Sequence, residues 1–462
     1  MKYSLRATES QHHQLKNHLF PGDGMEAVAL LLCGRRNGLE RHVLTVRQIV
    51  LIPHNECDRR DDRITWPTSF VDRLIEEAFG QGLAIVKVHS HTADYRRFSS
   101  VDDESDRTLF SAASSLLDDE LPHASVVMLP GGELFGRVIG CNGEIIAPLS
   151  SIIVVGHDLQ IWSACNSKVS TATEAFTLRH AQAFGVGTTQ VLRHLSIAVV
   201  GCSGTGSIVV EQLARLGVGR LLLVDPDCVE EKNLNRIVNS GKKDAYLSRP
   251  KVHVLAEAIA NMGLGQEVVP IHGNLIDAQS IKQVAECDIV FGCMDGAEGR
   301  HWVNRIASFY TMPYFDVGVR LDADGFGGID QITGAAHYIQ PGLSSLLSRG
   351  VYGMDRVASE EMLRTNPAMY ERNVKNGYLR GVDEDRPAVI SVNMLLAALT
   401  VNDFLARLHP YRNQPNSEYA YTAVNLGEMQ FYPESEGEPC HVLAKHVGKG
   451  DTTPLLERPA LC

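Results

Sequence analysis

Ile197-Ala198-Val199-Val200-Gly201-Cys202-Ser203-Gly204-Thr205-Gly206 is the stretch on which the reading of this chain turns. A short unbroken apolar run predicts a buried strand. It ends in a G-x-x-G-x-G loop, where missing side chains let backbone amides approach a phosphate at a helix N-terminus. A helix should follow, with Val209, Leu213 and Leu216 on one face and Gly217 to end it. Leu221 to Val224 predicts the next strand, closed by Asp225, and further strands are expected at Val268 to Ile271, Asp288 to Phe291 and Tyr314 to Val317. This alternation implies a parallel, doubly wound α/β sheet of the Rossmann kind. Val389 through Leu408 predicts one long amphipathic helix, and the chain after Pro433 a loop.

A glycine loop followed 24 residues later by Asp225 also suits a nicotinamide dinucleotide, whose ribose needs such a carboxylate. The continuation argues otherwise. Asp225-Pro226-Asp227 leads into Asn233-Leu234-Asn235-Arg236. A basic residue there has no use to a nicotinamide enzyme, whereas nucleotidyl transfer needs cations against a triphosphate.

Outward from this core, the first 150 residues read as a separate mixed α/β domain. Strands are expected at Ala27 to Cys33, Val43 to Ile52, Leu83 to Val88, Ser125 to Leu129 and Glu133 to Ile139, with the turn Pro130-Gly131-Gly132 between the last two. Phe70 to Phe79 has helical spacing, and a polar stretch from His157 to Thr173 separates the domains. The Leu83 strand runs into His89-Ser90-His91, and alternation points both imidazoles to one face. Asp102 follows eleven residues after His91, where Asp102 and Asp103 could equally cap a helix. Two nitrogens and one carboxylate oxygen leave one position of a tetrahedral Zn²⁺ open, the layout of a hydrolytic site. Glu26, at the start of a strand, is the expected base, and Ser99 an expected donor to the oxyanion.

Glu26, His89-x-His91 and Ser99-x-x-Asp102 together resemble the JAMM (JAB/MPN) metalloprotease family over residues 20 to 150, apart from Thr92, where the family usually has proline. The resemblance implies cleavage after the C-terminal glycine of a ubiquitin-like protein. The second half resembles the ThiF/MoeB and ubiquitin-activating adenylyltransferases over roughly 175 to 440. That resemblance implies binding of ATP and Mg²⁺, with phosphates on the loop of Gly201, Gly204 and Gly206 and the ribose at Asp225. Asp227, Asn233 and Asn235 lie in the same segment. Arg236, Lys251 and a magnesium-associated Asp295 would stabilise charge on the phosphates, and Arg300 and Asn304 follow in register. Arg179 resembles an arginine that reaches the ATP of a neighbouring subunit in a homodimer, and reads equally as a helix-surface arginine. Expected domains are a JAMM-like 1–158 and an adenylyltransferase-like 170–462, a fusion resembling proteins of bacterial ubiquitin-like conjugation operons.

The pattern departs from that family in its acyl acceptor. No cysteine lies between Cys293 and Cys440. Either the adenylate passes directly to a partner such as a conjugating-enzyme-like protein, or a serine takes the cysteine's part. Ser344, Ser345 and Ser348 stand where many relatives carry a zinc C-x-x-C, and read as a plain loop or as acceptors. Cys440 with Leu443 cannot complete a four-cysteine site, which puts the family's structural zinc in doubt. A sulfur-carrier-activating enzyme and a docking scaffold with one inactive head remain as alternatives.

Composition fits a folded enzyme. The 462 residues are 44% hydrophobic and 21% charged, with a net charge of −12, and no Lys/Arg-rich run points to nucleic acid. Ten scattered cysteines without a C-x-x-C pair fit a reducing cytoplasm. Met1 to Lys16 lacks the apolar core of a signal peptide. No apolar stretch is expected to approach the ~20 residues that cross a bilayer.

Overall fold

The computed structural model describes residues 1–117, 120–164, 175–379, 381–382 and 387–461. The chain divides into two compact units: Met1–Val169 with Phe309–Thr311 and His446–Cys462, and Ser170–Ser308 with Met312–Lys445.

The first unit opens with β1 (Lys2–Thr8), α1 (Glu9–Leu19), β2 (Val28–Asn37) and β3 (Arg41–Leu51). The short β4 (Asp58–Arg59) and β5 (Ile64–Thr65) pair with each other, and α2 (Ser69–Ala78), β6 (Ala84–Ser90) and α3 (Ser100–Leu117) follow. β7 (His123–Met128), β8 (Leu134–Ile139), β9 (Ile145–Pro148), β10 (Ser151–Val155) and β11 (Leu159–Ser163) complete a nine-stranded sheet ordered β11-β10-β1-β3-β2-β6-β7-β8-β9. Alternation in β6 splits its side chains between two cores. Ala84, Val86 and Val88 pack with Leu15 and Leu19 of α1 on one face. Ile85 packs with Leu74 of α2 and Phe110 of α3 on the other. Lys87 and His89 share the parity of Ile85, so the sheet turns them toward the α3 side.

The last segment of the chain belongs to this unit, not to the second, where the sequence placed it. Gly450 N–H donates to the Phe309 carbonyl at 2.9 Å, and Asp451 accepts from Arg36 at 3.1 Å. A Cβ on Gly448 would lie 2.1 Å from the Val46 carbonyl oxygen, so only glycine lets the tail run against β3 there. The expected loop after Pro433 is therefore a tethered tail. The polar stretch expected to be a linker carries β11, antiparallel to β10, and its residues 165–173 lie outside the described residues.

In the second unit, α4 (Leu178–His194), β12 (Ser196–Val200), α5 (Gly204–Arg215) and β13 (Arg220–Asp225) follow the expected alternation. Next come α6 (Lys242–Tyr246), α7 (Lys251–Met262), β14 (Glu267–His272), α8 (Ala278–Ala285), β15 (Ile289–Gly292) and α9 (Ala297–Phe309). β16 (Tyr314–Ala323), β17 (Ile329–Ile339), α10 (Met354–Thr365), α11 (Pro367–Lys375), α12 (Ile390–Leu408), β18 (Tyr421–Asn425) and β19 (Gln430–Glu434) close the series. The order β14-β13-β12-β15-β16 is parallel throughout, as expected, but β17, β18 and β19 extend it antiparallel. The parallel, doubly wound core thus carries an antiparallel extension: β16 and β17 are joined by a hairpin through Asp324 to Gly328, a connection only antiparallel strands permit.

Among the described residues one helix, α12, is long and apolar enough to cross a membrane, against the expectation that no stretch would be. Its apolar faces have a protein core to cover, since it packs on α5, β16 and β17, and 61% of it is buried. It also carries an internal Asp403–Arg407 ion pair of 3.0 Å.

Candidate functional site

At the end of β6, His89, His91 and Asp102 bring one ligand atom each within 4.8 Å of one another. His89 Nε2 lies 3.0 Å from Asp102 Oδ1, and His91 Nε2 lies 3.9 Å from Asp102 Oδ2. The spacing has a local cause. Ser99 and Asp102 form the opening turn of α3: Asp102 N–H donates to Ser99 Oγ at 3.1 Å, and Ser99 N–H donates to Asp102 Oδ2 at 2.7 Å. Asp102 thus caps the helix while its carboxylate faces both imidazoles, in a reciprocal cap of the sort that contributes about 1 kcal/mol. Ser99 Oγ also donates to Asp102 Oδ2 at 2.8 Å, so in this state it orients that carboxylate rather than standing free as an oxyanion donor.

The donor set suits a metal. Both ring nitrogens of His89 are buried without a hydrogen-bond partner of good geometry. Burial holds the His89 imidazole below its ordinary pKa, in the neutral form that a metal ligand requires. His91 donates from Nδ1 to the Tyr95 carbonyl at 2.8 Å, which leaves Nε2 with its lone pair toward Asp102. Burial opposes the charge on Asp102, but the facing His89 and the Ser99 hydrogen bonds outweigh it and hold the carboxyl well below its usual range.

Glu26 lines the same cavity of about 280 Å³, with Asp61, Asp62 and Lys87. Its backbone is fixed on both sides: Glu26 N–H donates to the Arg60 carbonyl at 2.7 Å, and its carbonyl accepts from Arg59 Nε at 2.8 Å. Burial, then Asp102 and Asp62, push the Glu26 carboxyl up to about 8. A carboxyl raised in this way is poised to exchange a proton near neutrality. Thr92, where a proline was expected, donates to the Asp61 carbonyl at 2.8 Å and ties the loop after His91 to the acidic wall.

Sequence reasoning missed the support beneath this site. Lys87 is 3% exposed and forms a close ion pair with Asp106, itself 1% exposed. Asp106 also pairs with Arg137 of β8 at 2.7 Å, and the Arg137 guanidinium stacks on Phe98 at 3.8 Å. Asp106 lies one turn beyond Asp102, so this network clamps the end of α3 that bears Asp102 to the strand that leads through His89 to His91. Removing Asp106 would strand the buried Lys87 and leave Arg137 with Asp103 as its carboxylate partner, a change that costs about 3–5 kcal/mol. The parity of Lys87 with His89 and His91 was the available signal.

The glycine loop builds the second site. Gly201 has φ +88°, and a Cβ on Gly206 would lie 1.8 Å from the Gly201 carbonyl oxygen, so both positions exclude a side chain. The Asp225 carboxylate accepts Cys202 N–H at 2.6 Å and Asp227 N–H at 2.9 Å, joining loop to strand end. Burial raises the Asp225 carboxyl and nearby Lys251 opposes it.

The structure splits the remaining expected residues. Gly204, Arg236 and Asp295 line one cavity of about 280 Å³. Lys251 lies apart from that lining, donating to Asp227 at 2.7 Å and 4.0 Å from Asp225. Asn233 is buried and accepts Glu230 N–H at 3.3 Å, while Asn235 donates to the Ala388 carbonyl at 3.5 Å. Arg300 pairs with buried Asp316 at 3.1 Å and Asn304 donates to the Tyr352 hydroxyl at 3.0 Å, so both brace the sheet. Arg179 donates to Gln182 on the outside of α4 and does not line the cavity.

Three polar residues of the lining carried no motif: Asn393 of α12, and Arg356 and Glu360 of α10. A Cβ on Gly204 would lie 2.2 Å from Asn393 Nδ2, which makes that amide a neighbour of the phosphate loop. A buried asparagine inside the apolar run of α12 was its only trace in the sequence.

Of the three serines, Ser344 and Ser345 are buried. Ser344 Oγ is held by Glu436 and Arg349, and Ser345 and Ser348 each accept the other's N–H, at 2.9 and 3.2 Å. Cys440 N–H donates to the Leu343 carbonyl at 3.0 Å, so the segment of the three serines and that of Cys440 meet, closed here by polar contacts. Among the described residues, His89, His91 and Asp102 form the group that could hold a metal ion.

Comparison with known proteins concerns the second unit. The chain is 36% identical over 122 residues to an adenylyltransferase and sulfurtransferase MOCS3 of Danio rerio, 26% of each chain. It is 29% identical over 163 residues to a ubiquitin-like modifier-activating enzyme 5 of Aedes aegypti, 33% of this chain and 38% of that one. The matched segments thus span well under half of these relatives' lengths. The E. coli MccB structure with ATP superposes with a TM-score of 0.44 at 19% identity, over 58% of this chain and 74% of that one. Residues 177–436, more than half of the chain, match the ThiF family, and the chain belongs to that family.

Proposed function

We propose that the chain is a bifunctional enzyme of a ubiquitin-like protein system. The second unit adenylates the C-terminal glycine of the modifier with ATP, and the first, a JAMM-type zinc isopeptidase, cuts the modifier from its precursor or conjugates. Family membership supports the first activity. The observation that carries the second is the convergence of His89, His91 and Asp102 on one point in a cavity shared with Glu26.

In the first unit His89, His91 and Asp102 would hold zinc. When bound, that ion polarises the scissile carbonyl and acidifies the attacking water. Glu26 takes the water's proton and delivers it to the leaving amine, and Ser99, while aligning Asp102, keeps its hydroxyl in the same cavity. In the second unit the glycine carboxylate attacks the α-phosphate of ATP, the bond to the β-phosphate oxygen breaks, and pyrophosphate leaves. The loop from Gly201 to Gly206 receives the phosphates and Asp225 the ribose. Asp295 would carry Mg²⁺, a single carboxylate being enough where phosphates supply other ligands. Arg236 compensates charge on the phosphates. Lys251 neutralises Asp227 and, 4.0 Å from Asp225, steadies the carboxylate that receives the ribose. Arg179 would act across a homodimer interface.

The kinship with MOCS3 favours one second reading, transfer of the activated carboxyl to sulfide rather than to a protein amine. Both begin with the same adenylate, so the acceptor separates them. The test uses the full chain with a small protein ending in glycine, carried as a precursor with extra residues. ATP–pyrophosphate exchange should depend on the exposed glycine. Precursor cleavage should fall by about 10²–10⁴-fold in Glu26→Ala while exchange is unchanged. If both activities fall together, two independent sites are the wrong description.

A further inference from the structure

The cavity that contains Gly204, Arg236 and Asp295 has a wall none of the sequence motifs supplies. α10 contributes Arg356 and Glu360 to it. This helix is fastened to the start of α9, directly beyond Asp295. Glu360 Oε2 accepts the Glu298 N–H at 2.8 Å, and Arg364 of α10 donates to the Glu298 carboxylate at 2.7 and 3.2 Å. A Cβ on Gly296 would lie 3.0 Å from Glu360 Oε2, so helix and loop are in contact. The place of Arg356 relative to Asp295 is therefore set by backbone-anchored contacts and not by its own ion pair.

That ion pair is weak. Arg356 Nε donates to Glu360 Oε1 at 2.9 Å, one turn apart on the helix, and its side chain is 38% exposed. Little is lost when such a guanidinium turns to another anion, because solvent already screens the pair. Glu360 stays in place through its other oxygen. The charge balance of the cavity calls for such a residue. A triphosphate carries about four negative charges, of which a magnesium ion offsets two. Lys251 is engaged with Asp227, which leaves Arg236 and Arg356 as the cations among the described lining residues. A guanidinium that can present two N–H groups suits phosphate oxygens.

We propose that Arg356 is a second guanidinium anchor for the triphosphate, turning from Glu360 to the phosphate oxygens when ATP enters. The proposal rests on the reading of this cavity as the ATP site. Binding of ATP and of a non-hydrolysable analogue to the full chain, measured by calorimetry with Mg²⁺, tests both and tells them apart. Wild type should bind. Arg356→Gln should lose roughly tenfold in affinity and raise the KM for ATP in pyrophosphate exchange, with the KM for the glycine-ended partner unchanged. Arg356→Lys should recover part of the loss, and both variants should unfold at the wild-type temperature. Arg356→Gln binding as tightly as wild type overturns the proposal alone. So does a defect confined to the KM for the partner, which would assign the guanidinium to the incoming carboxylate. A wild type that binds no ATP overturns the reading of the cavity as well.

Discussion

The two sites are built in opposite ways. In the first unit, two imidazoles and a carboxylate are buried or nearly so, locked by a helix cap and by an ion-pair network behind them, and already within ligand distance. In the second, Arg236 is half-buried and Asp295 exposed, Arg356 leans on a weak partner, and Lys251 is turned to Asp227. The difference follows from what each would bind. A metal ion needs its donors at fixed distances before it arrives, since the geometry of a few short bonds carries the whole affinity. A nucleotide brings its own charge and metal, and long side chains can close on it afterwards.

That contrast is breakable. The largest effect is expected at His89. Replacing it with alanine should take bound zinc from about one ion per chain to none and abolish precursor cleavage, with pyrophosphate exchange untouched. Elemental analysis of the purified chain beside the two assays decides this, and a full zinc complement in the variant would show that the three donors do not act as one site. Asp295→Asn should lower exchange by about 10²–10³-fold while zinc content and cleavage stay at wild type.

The smallest effect is that of a single buried histidine on stability, and there the two units should respond in the same direction. Burial pulls His42 and His123 in the first unit and His337 in the second down to about 3 from an ordinary 6.5. Each stays neutral when folded but takes a proton when unfolded. Their contribution is therefore intact above pH 6.5 and is lost as the pH falls from there toward 3, at up to about 1.4 kcal/mol per pH unit for each. His123 shows the cause directly, since its Nδ1 accepts the Ile85 N–H at 3.1 Å and cannot do so once protonated. Denaturant titrations at stepped pH should show the slope, and His123→Asn should reduce it by one proton's worth. A stability flat between pH 6.5 and 4 would contradict this.

Much of this molecule was legible in its sequence wherever the determining contacts are local. The run Ile197 to Val200 with its glycine loop gave the sheet of the second unit because a strand, a turn and a helix N-terminus are neighbours in the chain. His89, His91 and Asp102 could be grouped because strand alternation and helix capping act over a few residues. Glu26 is farther off, yet β2 pairs with β6 so that Val28 faces His89, and one register relation brings it in.

What the tertiary structure alone decided involves distant parts of the chain. Lys87, Asp106 and Arg137 come from two strands and a helix, and their pairing depends on how α3 lies across the sheet. Arg356, Glu360 and Asn393 enter the cavity beside the glycine loop from helices that no motif marks. The final segment, His446–Cys462, joins the first unit through backbone contacts at glycines, which leave no side-chain pattern to read. Local chemistry is written in short spacings. Burial, charge pairing and the return of the tail are set by packing, which a linear pattern does not encode.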